Sequence, residues 1–110
     1  MTPSAWLARV RHDLLKPLLW PARDRREVGG AAAAGELEPS LIDEEGRAIT
    51  APALWTALRA GAPPGLALED FEAALTSALA AARSGDVAGV LAIEPEIEAL
   101  GRLVRNLEGG

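Results

Sequence analysis

The spacing of apolar side chains predicts a mainly α-helical protein. Near the N-terminus, five apolar residues recur at helical intervals: Trp6, Leu7, Val10, Leu14 and Leu18. Ser4 is suited to cap this helix, which we expect to span about residues 4–15. Pro17 lacks an amide hydrogen and clashes with the preceding turn, so the helix is predicted to kink or stop near Lys16.

The C-terminal half shows the clearest periodicity. The apolar positions of a first segment are Leu68, Phe71, Leu75, Ala78 and Ala82, and those of a second are Val90, Ile93, Ile97, Leu100, Val104 and Leu107. Between them, Gly85 can end one helix and Asp86 can cap the next, which predicts an antiparallel helical hairpin. At Pro95 the second arm is either kinked or broken. We favour the break, because it places Glu96 and Glu98 in a first turn, where the helix dipole favours acids.

The middle of the chain predicts a small β-hairpin followed by a short helix. Residues 40–42 and 48–50 are candidate strands, joined by a turn in which Gly46 suits a positive φ. Thr50 is a candidate N-cap for a helix over residues 51–60, and Gly61 is placed to end it.

These elements divide the chain into three predicted units. Residues 1–28 form a basic amphipathic helical arm, residues 29–36 a flexible Gly/Ala linker, and residues 37–110 a helical domain. The predicted fold class is therefore mainly α: a small helical domain with a C-terminal antiparallel helical hairpin, a short β-hairpin and an N-terminal amphipathic helix.

Composition excludes several classes of protein. The 110 residues include no Cys, which rules out disulfide scaffolds, iron–sulfur clusters and cysteine nucleophiles. They include no Tyr and one Phe, which disfavours a stacking platform for single-stranded nucleic acid. No apolar run has the roughly 18 residues of a membrane span, and Lys16 and Pro17 interrupt the one stretch that resembles a signal core. We expect a cytoplasmic protein.

Charge is distributed unevenly along the chain. Residues 1–30 hold six basic and three acidic side chains, whereas the remaining eighty hold five basic and thirteen acidic ones. A basic arm on an acidic body either binds an acidic surface of another molecule or folds back on its own body, and both alternatives stay open. The acidic body makes nucleic-acid binding unattractive.

The sequence offers no established catalytic or metal-binding pattern. The acidic run Asp43–Glu45 lacks the alternating oxygen ligands of a calcium loop and is interpreted as a solvated turn. Glu94 and Glu98 lack the Glu-x-x-His pairing of a carboxylate-bridged metal centre. We therefore predict a protein that is not an enzyme, with no metal and no cofactor.

His12 is the single histidine of the chain, and its neighbours form a short motif. The stretch His12-Asp13-Leu14-Leu15-Lys16-Pro17-Leu18 resembles the phospho-acceptor box of sensor histidine kinases, His-(Asp/Glu)-Leu-x-x-Pro-Leu. The resemblance implies a phospho-accepting His12 on a helix, assisted by the adjacent acid. No glycine-rich ATP-binding segment follows it, so phosphotransfer without autophosphorylation is the alternative function. The other interpretation is a surface histidine on a basic amphipathic helix.

Trp6 and Trp20 bracket the basic helix and have two interpretations. Trp and Arg are enriched at interface hot spots, which suggests an arm that docks on a partner protein. Alternatively, both indoles cover the apolar face of the chain's own body. Attachment of the helix to a membrane surface is a third possibility.

From these observations we predict a non-catalytic accessory or adaptor protein. Its partner would be a larger subunit or enzyme with an acidic or apolar groove, and a homodimer is possible. The predicted partner-binding residues are Trp6, Leu7, Val10, Leu14, Leu18, Trp20, Arg23, Arg25 and Arg26. A small antitoxin-like or DNA-associated regulator using Arg23 to Arg26 is a further alternative.

Overall fold

The computed structural model describes residues 2–27 and 41–109, with the side chains of residues 25–27 excepted. Its first element is one continuous helix in three parts: α1 (Pro3–Val10), a π-helical segment (Arg11–Leu15) and α2 (Lys16–Glu27). A two-stranded sheet follows, made of β1 (Leu41–Ile42) and β2 (Ala48–Ile49). The remaining helices are α3 (Ala51–Ala60), α4 (Glu69–Arg83), α5 (Val87–Leu91) and α6 (Glu94–Gly109). The mainly α fold class is confirmed.

The N-terminal helix differs from the prediction at both ends. Thr2, rather than Ser4, is the N-cap, and its side chain accepts a hydrogen bond from the Ala5 amide at 3.1 Å. The helix also does not stop near Lys16, since it continues through Pro17 to Glu27.

The π-helical segment explains how the helix passes Pro17. The Lys16 amide donates to the Arg11 carbonyl, five residues back, instead of to the carbonyl four residues back. This widened turn lies immediately before Pro17, whose ring would otherwise crowd an α-helical carbonyl. The continuation is held by packing, because α2 contacts α5 and buries Leu18, Leu19 and Ala22. Tertiary burial thereby overrides the local signal of the proline.

The β-hairpin and α3 follow the prediction closely. The strands are antiparallel, with Leu41 opposite Ile49, and Gly46 in the connecting turn has φ +78°. The Thr50 side chain caps α3 by accepting from the Ala53 amide, and Gly61 is the residue at its C-terminal end.

The C-terminal helical hairpin is confirmed, with α4 as its outgoing arm and α5 and α6 as the return. Gly85 has φ +73° in the turn, and the Asp86 side chain accepts from the Gly89 amide at 3.0 Å. The return arm is broken, as favoured from the sequence. Ala92 and Ile93 separate α5 from α6, and Pro95 lies in the first turn of α6, where its missing amide is tolerated.

The N-terminal helix shares one hydrophobic core with the rest of the described chain. α1 packs against α6, and α2 packs against α5. Within the described residues, the basic helix is therefore a central layer of the fold. The predicted linker, residues 29–36, lies outside the described residues, and so does the predicted domain boundary.

Candidate functional site

Five of the predicted partner-binding residues lie inside the chain's own core. Trp6, Leu7, Val10, Leu14 and Leu18 are all buried. A partner could contact them only if the helix left the body. Partner binding by these five side chains stays a prediction, but in this conformation their contacts are intramolecular.

Trp6 shows how firmly the helix is attached. Its side chain is 2% exposed, and its indole Nε1–H donates a hydrogen bond to the Leu58 carbonyl at 2.7 Å. Its ring tilts against Trp55 with the centroids 6.5 Å apart, and Trp55 in turn contacts Phe71 at 5.1 Å. A buried indole with a satisfied N–H and an aromatic neighbour is a strong anchor for α1.

Trp20 has the opposite environment. It is 66% exposed, although it lies on the same helix as Trp6. Arg23 is close by in sequence and forms an ion pair with Glu94, with Nη2 2.6 Å from Oε2. The side chains of Arg25 and Arg26 lie outside the described residues.

His12, Lys16 and Trp20 follow one another at intervals of four and therefore lie along one face of the helix. All three side chains are exposed. The His12 side chain is 79% exposed, and its Nδ1 lies 2.9 Å from Asp13 Oδ1. This face combines an aromatic surface with cationic and hydrogen-bonding groups.

A groove of about 820 Å³ lies between the N-terminal helix, the β-hairpin and α3. Trp6, Leu41, Ile49 and Leu54 contribute to its apolar wall. Pro17, one helical turn before Trp20, also lines it. The sequence did not predict this groove, because its walls come from segments that are distant along the chain.

Charged side chains border the groove on one side. Arg9 pairs with Asp13 on its own helix at 3.3 Å and with Glu44 of the hairpin turn. Within that turn, Asp43 Oδ1 accepts hydrogen bonds from the amides of Glu45 and Arg47, both at 2.9 Å. These bonds give the acidic run a role in shaping the turn. Among the described residues, no three His, Asp or Glu side chains cluster closely enough to hold a metal ion.

A second groove of about 500 Å³ lies on another side of the N-terminal helix, against α6. Its lining residues are Ser4, Leu7, Ala8, Arg11, His12, Lys16, Gly101, Val104 and Arg105. Four of these carry basic groups and none is acidic. Arg11 and Arg105 lie far apart in sequence, so periodicity gave no signal that they would meet.

None of the described helices combines the length and apolar composition needed to cross a bilayer. No protein-family model, curated protein or solved structure matches the chain.

Proposed function

We propose that this protein is a non-catalytic accessory protein that binds a partner protein through the exposed face of its N-terminal helix, around Trp20. The observation that carries the proposal is the 66% exposure of Trp20 on a helix whose other face is buried. Of the three tryptophans, Trp6 and Trp55 are both buried.

Anchoring of the helix supports this function. Trp6, Val10 and Leu14 hold the backbone in the core, so Trp20 projects from a fixed platform. A preorganised platform loses little conformational entropy when a partner binds. Tryptophan is enriched among the interface residues that dominate binding energy.

Charge indicates the chemistry of the partner surface. Lys16 lies one turn before Trp20 on the same face and has no ion pair with any residue that the structure describes. A complementary surface would provide an apolar pocket for the indole and a carboxylate at its rim. This agrees with the predicted partner, a larger subunit or enzyme with an acidic or apolar groove.

The experiment compares three full-length baits in lysate of the native host: wild type, Trp20→Ala and Leu103→Ala. Leu103 is a suitable control because it is an exposed apolar residue on α6, 40% exposed. We expect a stoichiometric protein that wild type and Leu103→Ala retain and Trp20→Ala loses, measured by quantitative mass spectrometry. Equal recovery by all three baits, or no stoichiometric protein with wild type, would refute the proposal.

Deletion of the N-terminal segment is a poor test of the same idea. Removing residues 1–30 would also remove Trp6, Val10 and Leu14 from the core, so loss of binding would report loss of the fold. The single substitution at Trp20 avoids this, because an exposed side chain contributes little to stability.

A second candidate function is phosphotransfer through His12, favoured by the exposure of its ring and the contact between Nδ1 and Asp13. In the proposed step, Nε2 attacks the phosphorus of acetyl phosphate, the bond from phosphorus to the acetate oxygen breaks, and acetate leaves. Intact-protein mass spectra should then show one added phosphoryl group in wild type and none in His12→Gln. An unchanged wild-type mass, or the same addition in the variant, would exclude this function.

Duplex DNA binding through Arg23 to Arg26 remains the third alternative. It would weaken steeply as salt concentration rises, because phosphate contacts release counterions. An affinity that does not change across a salt titration would exclude it.

A further inference from the structure

Two arginines from opposite ends of the sequence converge on one glycine. A methyl group added to Gly101 would lie 3.2 Å from Arg11 Nη2 and 3.6 Å from Arg105 Nη1. Both guanidinium groups therefore reach the same small volume above α6. Gly101 is buried and without a side chain, so it leaves this volume unfilled.

Neither guanidinium has a counter-ion among the residues that the structure describes. Four other arginines each pair with a carboxylate: Arg9, Arg23, Arg47 and Arg59. Arg11 and Arg105 instead converge on Gly101, in a chain with a net charge of −5. Two positive charges held close together repel each other, and an anion bound between them would offset this repulsion by attracting both.

The surroundings of this pair are also basic or polar. Lys16, His12 and Ser4 line the same groove of about 500 Å³. Three acidic residues are near its borders: Glu108 accepts a hydrogen bond from the Ser4 hydroxyl, and Glu94 and Glu98 line an adjoining groove that Arg11 and Lys16 also border. None of them forms an ion pair with Arg11, Arg105 or Lys16 in the described structure, and Glu94 pairs with Arg23.

We propose that Arg11, Arg105 and Lys16 form a binding site for a phosphate group. Guanidinium forks match the oxygens of a phosphate, and the Lys16 ammonium adds a third positive charge. Charge-assisted hydrogen bonds are about 2.8 Å long, so oxygens of one phosphate placed between the two guanidinium groups reach both. A phosphate dianion, with two negative charges, matches three positive charges better than a singly charged carboxylate does. This proposal goes beyond partner binding through Trp20 and does not depend on it.

The test uses the full chain, labelled with ¹⁵N and titrated with inorganic phosphate at constant pH and ionic strength. We expect saturable shifts confined to amides near Arg11, Lys16 and Gly101. Arg11→Gln and Arg105→Gln should each weaken binding about tenfold or more, because each removes a hydrogen bond to a charged group. The same spectra report whether each variant is folded.

Arg102→Gln is the matched control. It removes the same charge from an exposed position on α6 that does not line the groove. Its affinity for phosphate should stay within about twofold of wild type. Equal weakening by Arg102→Gln and Arg105→Gln would show general attraction to positive charge and would overturn the site. Shifts that do not saturate would also overturn it.

A second titration distinguishes the source of the phosphate. A phosphoserine peptide that binds more tightly than inorganic phosphate, while its unphosphorylated form does not bind, would indicate a phosphorylated protein segment as the ligand. Equal affinity for the phosphopeptide and free phosphate would indicate a small phosphorylated molecule.

Discussion

Replacement of Trp6 by Ala tests whether the N-terminal helix belongs to the core. The indole is 2% exposed, and a buried aromatic side chain removes about 150–250 Å² from water. At about 25 cal/mol per Å², that burial contributes roughly 4–6 kcal/mol as an upper estimate. Measured Trp-to-Ala changes in cores cost about 3–5 kcal/mol, and we expect Trp6→Ala to lie in that range.

Trp20→Ala is the internal comparison, because it makes the same chemical change on the same helix. Trp20 is 66% exposed, so we expect its replacement to change the free energy of unfolding by no more than about 0.5 kcal/mol. Small domains have about 5–15 kcal/mol of total stability, so the first variant should be severely weakened and the second nearly unaffected.

Trp6→Phe separates the hydrogen bond from the packing. The Leu58 carbonyl would lose the indole donor but keep its bond from the Gly61 amide at 3.1 Å, so it would not be left unsatisfied. We therefore expect a loss of about 1–2 kcal/mol, well below that of Trp6→Ala.

The measurement is urea unfolding followed by far-ultraviolet circular dichroism, because the substitutions themselves alter tryptophan fluorescence. The dependence of unfolding free energy on urea should be similar in all variants, so that midpoints compare directly. A Trp6→Ala protein that is as stable as Trp20→Ala would refute the reasoning, since it would mean that the helix is not packed on the body in solution.

Three further predictions concern glycines. Gly89→Ala should lower the free energy of unfolding by about 1–3 kcal/mol, because its methyl would lie 2.7 Å from Ala81 Cβ and 2.6 Å from Asp86 Oδ2. Gly101→Ala should raise the free energy of unfolding by up to about 1 kcal/mol through helix propensity, because its methyl would contact only the ends of flexible arginine side chains. Thermal unfolding checks both, and equal shifts for the two variants would contradict the packing of α4 on α5. Gly46→Ala should cost about 1–2 kcal/mol in chemical unfolding through backbone strain alone, because φ is +78° and no atom lies within 4 Å; an unchanged midpoint would contradict that turn conformation.

Local signals explain why the middle and the C-terminal part of the chain could be predicted from sequence. The Thr50 and Asp86 caps and the Gly85 turn each involve residues that are close together in sequence, so they can be recognised without knowledge of the tertiary contacts. The break before Pro95 could be predicted for the same reason.

The N-terminal helix could be predicted only in part. Its periodicity indicated that one face is buried, but periodicity does not state what covers that face. The signal of Pro17 was overridden by the π-helical segment and by burial of α2 against α5, neither of which has a local sequence signature. The convergence of Arg11 and Arg105 on Gly101 was equally hidden, because it depends on how α1 lies along α6.

The contact between α1 and α6 has a consequence for biosynthesis. Ribosomes add about 5–20 residues per second, and α6 is made about ninety residues after α1, so the two are separated by roughly 5–20 s. During that interval the apolar face of α1, including Trp6 and Val10, lacks the helix that will cover it. The nascent chain therefore exposes the apolar face of α1 before its core is complete, which makes this segment a target for a chaperone acting at the ribosome.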